Sequence, residues 1–295
     1  MRFKHTTSAG EGLERSCREP GRQWIASAGP LDGVELFRAS FAGERYRKHR
    51  HATYAIGLTD FGLQVFDYRG AVHASAPGQV TVLYPDELHD GRAGGEAGFG
   101  YRIVYVEPAR LADAVRVVCG RPYPLPFLRD PVSGNVRLAR AITEVFAAGL
   151  EPLAVDDLVV ELAEGLLAGE RARGAPTASR RVDTRAVERA RQLLDVERTR
   201  TVRSAELEAV TGLTRYDLAR QFRVALGTSP HRYQLMRKLE RAREAIHRAR
   251  SLADVASDAG FADQAHFTRA FVSAFGLTPG RYRRLRRPLF LPKAG

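Results

Sequence analysis

Three patterns of apolar and polar positions succeed one another along the 295-residue chain. From about Val34 to Pro108, short β-branched and aromatic runs (VELFRASF, YAIGLTDFG, LQVFDYRG, APGQVTVLYP and YRIVYVEP) are broken by Gly, Pro and Asp. That spacing predicts an antiparallel barrel or sandwich. From Pro131 to about Ala172 the period lengthens: Leu138, Ile142, Val145 and Phe146 recur at helical spacing, as do Leu158, Leu162 and Leu166. Two amphipathic helices are expected, parted near Glu151-Pro152. The stretch ERARGAPTASRRVD has little to bury and reads as a linker, and the chain beyond it reads as helical to about Arg286.

Within the helical end one phrase is written twice. GTSPHRY at Gly227–Tyr233 returns 49 positions later as GLTPGRY at Gly276–Tyr282. The match extends backwards, with one extra residue in the second turn, so that Thr211–Tyr233 lies over Ala259–Tyr282. Phe267, Ala270, Phe271, Ala274 and Phe275 form one helical face in the second copy. Leu218, Phe222, Ala225 and Leu226 do so in the first, with Gln221 as a polar exception. Each of these helices is preceded by a shorter one supplying Leu207 and Val210, or Leu252, Val255 and Ala259, and by a turn at Gly212 or Gly260. Thr214 is placed to cap the next helix, and Ser251 with Asp254 to form a capping box. Two helix-turn-helix units are predicted. In the repeated phrase Gly ends a helix, Ser229 or Thr278 caps the next, and Pro230 or Pro279 takes its first turn.

Composition narrows the class. With 44% apolar residues the chain can bury a sizeable core, and its length suits two domains. Cys17 and Cys119 have no partner spacing for a disulfide framework or a zinc ribbon. The first twenty residues hold no apolar signal region, and no apolar run of about 18 residues occurs. A cytoplasmic protein with no membrane partner is the expectation. Charge is uneven: positions 180–295 carry 25 Arg and Lys against 12 Asp and Glu, a net of +13, while positions 1–179 are near neutral. A basic half beside a neutral one suggests a polyanion partner.

The outward helix faces sharpen that suggestion. Arg220 and Arg269 occupy equivalent places opposite the buried stripes. Tyr216 and Arg223 share the first outward face; Gln264, His266 and Thr268 share the second. Arg can fork to guanine, Gln can pair with adenine, and Thr can meet a thymine methyl. Double-stranded DNA is the expected partner.

These residues resemble the AraC/XylS family of bacterial transcription regulators, above all in SLADVASDAGFADQAHFTRAFVSAFGLTPGRYRR. The resemblance implies a helical domain in which Pro230–Arg250 joins two recognition helices. It implies base contacts at Tyr216, Arg220, Gln264, Thr268 and Arg269. The stripe Tyr233, Met236, Leu239, Ala242 and Ile246 independently allows the joining helix. Two such helices on one frame should enter successive major-groove faces about 34 Å apart.

The front half resembles the cupin-like sensor domain found ahead of this DNA-binding domain, in KHRHATYAIGLTDFG, APGQVTVLYPDELHDG and EAGFGYRIVYVEP. The expected fold has two domains: an N-terminal all-β cupin-like barrel with following helices, and a C-terminal all-α domain with two helix-turn-helix motifs joined by a long linker helix. The expected divisions are an arm at 1–30, a ligand-sensing and dimerisation domain at 31–172, a linker at 173–182, a DNA-binding domain at 183–287 and a tail at 288–295. His49 and His51 alternate onto one strand face and His89 follows another strand, so together they could hold a metal. The residues after His51 (Thr53, Tyr54, Ala55, Ile56) offer no carboxylate, and RYRKHRH is cationic. His49, His51 and His89 are therefore expected to line an organic-ligand pocket, with no metal and no cofactor. The reading is a non-enzymatic regulator that binds promoter DNA and a small-molecule effector as a homodimer, with RNA polymerase as a further partner. A cupin enzyme fused to a DNA-binding domain is the alternative. A DNA-repair adaptor would need a zinc-held cysteine cluster that Cys17 and Cys119 cannot build.

Overall fold

The computed structural model describes residues 23–42, 46–121, 123–171, 182–246 and 251–289. Cys17, the arm before residue 23, the linker before residue 182, the last four residues of Pro230–Arg250 and the tail beyond residue 289 lie outside the described residues.

The N-terminal half is built on two sheets. β1 (Trp24–Leu31), β2 (Val34–Phe41), β4 (Tyr54–Gly62), β7 (Val80–Leu83), β9 (Phe99–Val106), β10 (Val132–Ser133) and β11 (Arg286–Pro288) form one. Its order is β10-β7-β4-β9-β2-β1-β11. β3 (Tyr46–His49), β5 (Gln64–Tyr68), β6 (Ala71–Ser75) and β8 (His89–Ala93) form the other, in the order β3-β8-β5-β6. Apolar side chains of both sheets, such as Ile56, Val104, Phe66 and Tyr68, meet in one core. Alternation shows in β5, where Gln64, Phe66 and Tyr68 are buried and the residues between are not.

Three helices follow the strands: α1 (Pro108–Cys119), α2 (Val136–Ala148) and α3 (Pro152–Arg171). Leu138, Ile142 and Val145 bury against Leu158, Leu162 and Leu166 as their spacing predicts. The sequence reading passed over α1, although Leu111, Ala114 and Val115 mark its buried face and Pro108 opens its first turn. Residues 24–30, expected to belong to an arm, instead form most of β1. The short strands β3, β6, β8 and β10 were missed, because runs such as YRKH and HDGRA have no apolar alternation of their own. Their partners hold them in place: His49 faces His89 across the β3–β8 pair.

The C-terminal half holds α4 (Thr184–Val196), α5 (Ser204–Thr211), α6 (Arg215–Leu226), α7 (Pro230–Ala245), α8 (Leu252–Asp258), α9 (Gln264–Phe275) and α10 (Pro279–Leu285). Both helix-turn-helix units form, as α5–α6 and α8–α9. Thr214, Ser229, Ser251 and Thr278 each accept a hydrogen bond from the backbone N–H three residues on. Gly260 turns the second unit at φ +75°, and a Cβ there would lie 1.8 Å from the Thr199 carbonyl oxygen, so only glycine fits. Gln221 is buried because its Oε1 accepts from the Asp183 N–H at 2.6 Å, which ties α6 to the start of α4. Val210, expected on the inner face, is instead exposed.

The two halves share more than a linker. β11 leaves α10 and pairs in parallel with β1, setting Ile25 opposite Arg286. Buried residues of α7 to α10, among them Met236, Phe267 and Phe271, belong to the same apolar cluster as the sheets. The first unit has its own cluster of Leu194, Leu207, Leu218, Phe222 and Tyr233.

Candidate functional site

A cavity of about 90 Å³ opens between the β-domain and the second helix-turn-helix unit. Phe41, Tyr101, His49 and His89 face it from the strands, and His51 from just beyond β3. Glu240 and Arg243 of α7, Phe275 of α9 and Tyr282 of α10 close it from the other half. Ligand sites prefer such boundaries between domains.

The structure brings His49, His51 and His89 together, with ring centroids 4.3 Å apart for His49 and His89, 4.8 Å for His51 and His89, and 6.2 Å for His49 and His51. All three are buried. His49 ends β3 and His89 begins β8, while His51 lies just beyond the strand on which it was expected. Each Nδ1 sits against a backbone carbonyl: Arg47 at 3.0 Å, Thr53 at 2.7 Å and Glu87 at 2.9 Å. Burial drives all three towards the neutral form, His49 well below its usual 6.5 and His51 to about 3, both lowered further by the neighbouring His89. His89 falls to about 4 through burial, opposed by its hydrogen bond to the Glu87 carbonyl and by the charges of Asp90 and Glu87. Among the described residues no group of three or more His, Cys, Asp or Glu could hold a metal ion.

These buried neutral imidazoles make stability depend on pH. The unfolded chain takes up protons as pH falls through about 6.5, whereas the native rings do not until about 4 and about 3 for His89 and His51. Stability is therefore full above pH 6.5 and falls on acidification, by up to about 1.4 kcal/mol per pH unit for each histidine. Urea unfolding at a series of pH values should show that slope, and His89→Gln should flatten it. A pH-independent midpoint between 6.5 and 4.5 would contradict the neutral assignment.

Around the cavity the halves are clamped by charge and by backbone. Arg243 of α7 bonds Glu35 of β2, both side chains about nine-tenths buried, and Arg232 pairs with Asp86. Arg237 bonds Glu107 at 2.6 Å and Glu240 at 3.0 Å. Burial raises Glu240, offset by the Arg237 charge. The Arg47 N–H donates to the Gly276 carbonyl at 3.3 Å, and the Arg50 N–H to that of Ser273 at 3.0 Å. Gly276, at φ +70°, ends α9 against the His49 ring, where a Cβ would stand 3.1 Å from Nδ1 and 2.9 Å from the Arg47 carbonyl oxygen. The histidine strand thus touches the last turn of α9.

The outward residues fall as the helical period predicts. Tyr216, Arg220 and Arg223 are exposed on α6, and Gln264, His266 and Arg269 on α9, with Thr268 half-buried. Arg220 lies 3.7 Å from Asp217. Arg223 lies close enough to Asp86 for its charge to act on that carboxyl. His266 packs edge-on against Phe261 in the turn, with centroids 5.4 Å apart. Sequence reasoning missed Glu35, Glu240 and Arg243 as cavity residues. The one available signal was polar residues at 240 and 243, one helical turn apart, bordering the apolar stripe of α7.

Comparison with known proteins agrees with this division. Residues 33–163 match the family model of the AraC-like ligand binding domain, and residues 207–285 that of a helix-turn-helix domain. An uncharacterized helix-turn-helix transcriptional regulator of Bacillus subtilis, YbfI, is 23% identical over 79% of this chain and 85% of that protein. The transcriptional activator NphR of Rhodococcus is 35% identical over 44% of this chain and 37% of that protein. Among solved structures, an apo lysine-to-alanine variant of ToxT of Vibrio cholerae has a TM-score of 0.63 at 11% identity, covering 88% of this chain and 99% of that one. ToxT bound to an unsaturated fatty acid has a TM-score of 0.61 at 12% identity, covering 91% and 97%. These structures share the fold. Among the described residues no helix is long and apolar enough to cross a membrane.

Proposed function

The chain belongs to the AraC family of effector-sensing, DNA-binding transcription regulators, and from that premise we propose how its residues divide the work. The cavity at His49, His51 and His89 holds the effector. The exposed faces of α6 and α9 read promoter DNA through Tyr216, Arg220, Gln264, Thr268 and Arg269, with Arg223 and His266 at the margins. The observation that carries this reading is that sensor strands and the second helix-turn-helix unit wall one cavity.

A ligand can alter DNA affinity only by favouring one arrangement of the two halves over another. The contact of His49 with Gly276, together with the Arg47 and Arg50 backbone bonds, gives it a short path to α9. Three histidines held neutral at pH 7 are not poised as general acids, and with His51 near 3, His89 near 4 and His49 lowered by burial they are weak bases. The cavity is suited to binding rather than turnover. Val136, Leu153 and Val160 are exposed apolar residues on α2 and α3, where two copies would join in the cytoplasm. RNA polymerase would be met by the DNA-bound dimer.

Arg269→Ala tests the DNA assignment. The variant should lose about 1–3 kcal/mol of binding to a site selected from a random DNA pool, while scrambled DNA is bound as before. Titration of both DNAs at several salt concentrations separates base readout from phosphate contact. An unchanged sequence preference would remove Arg269 from the reading face.

A further inference from the structure

We infer that the effector is an uncharged aromatic molecule bearing a hydroxyl or N–H donor, received by the Nε2 atoms of His49, His51 and His89. The inference rests on the reading of the cavity as the effector site, and it names the chemistry of that ligand.

The tautomers come first. A carbonyl oxygen can only accept, so the three Nδ1 atoms facing the Arg47, Thr53 and Glu87 carbonyls carry the ring hydrogens. In a neutral ring Nε2 is then a bare lone pair. The Nε2 of His51 is fully buried with no hydrogen-bond partner. All three rings line the same cavity, so its strand wall offers acceptors that only a donor can satisfy.

Charge disfavours an anion. The formal charges on the lining are the carboxylates of Glu35, Glu107 and Glu240 against the single guanidinium of Arg243, which Glu35 already engages. A carboxylate or phosphate would set lone pairs against lone pairs beside like charge. An ammonium is disfavoured in turn because Arg237 already binds Glu107 and Glu240 from behind the wall. The body of the ligand follows from the lining: Phe41, Tyr101 and Phe275 present aromatic surface to the cavity.

The test uses the full chain and four ring probes: phenol, anisole, benzoate and benzylammonium. Calorimetric titration should show phenol binding about tenfold or more tightly than anisole, which has the same body and no donor. Benzoate and benzylammonium should not compete. A fluorinated phenol that ionises near neutral pH should lose affinity as pH rises through its own pKa, a readout that needs no variant. His51→Phe keeps a ring in place without Nε2 and should erase the preference for phenol over anisole, with a thermal melt confirming the fold. Anisole or benzoate binding as tightly as phenol, or no ring probe binding at all, overturns the inference. Phenol binding that leaves DNA affinity unchanged supports the ligand class and instead removes the reading of the cavity as a sensor.

Discussion

Arg243→Ala should separate the two halves of the molecule and lower its stability by about 3–5 kcal/mol. The Arg243 guanidinium and the Glu35 carboxylate bond each other with about nine-tenths of each side chain buried. Removing the cation leaves Glu35 charged, enclosed and unpaired, which is far costlier than the pair itself is favourable. The chain can relieve that cost by letting water into the domain boundary. The loss is then capped at the free energy of undocking, and it reports as a larger radius of gyration in solution scattering together with an earlier first unfolding transition. Exchanging both partners for apolar residues, Glu35→Leu with Arg243→Met, should return the compact radius, because neither member of the pair then remains to be hydrated. If Arg243→Ala is as compact and as stable as the natural chain, the pair does not hold the boundary.

Phe271→Ala should cost a similar amount, about 3–5 kcal/mol, and its damage should spread into the sensor. Phe271 is fully buried, with ring centroids 5.5 Å from Phe267, 4.5 Å from Phe275 and 5.5 Å from Tyr282. Phe275 and Tyr282 in turn line the cavity. A void at Phe271 therefore loosens α9 and the cavity wall together, abolishing both specific DNA binding and the thermal shift given by a ligand. Phe222 is the contrasting position: it is equally buried in α6, but in the separate cluster of the first unit. Phe222→Ala should weaken DNA binding while the ligand-induced shift survives. Equal loss of ligand response in both variants would show that the two clusters are not energetically distinct.

Much of the C-terminal half could be read from neighbours in sequence, because its rules are local. An N-cap joins residues three apart, a buried stripe repeats every turn, and Gly227 and Gly276 end helices where φ is +68° and +70°. The duplication of GTSPHRY as GLTPGRY reflects those rules applied twice. The β-domain was legible where strands carry their own β-branched and aromatic runs, as β2, β4 and β9 do. It was illegible at β3 and β8, whose polar sequences become strands only because a partner lies alongside. The histidine trio could be named from HRH and a later histidine, but neither its convergence nor its tautomers could be.

The sequence by itself determined the element types of the helical end, both helix-turn-helix units, the outward arginines and the contrast between a neutral and a basic half. Tertiary structure alone decided that the second unit shares its core with the sensor, that β11 returns to pair with β1, and that Glu35 meets Arg243 from 208 positions away. The physical reason is range. Capping and periodicity act over three or four residues and are written where they act. A cavity wall or a buried ion pair depends on which distant surfaces dehydrate each other, and no local pattern records that choice.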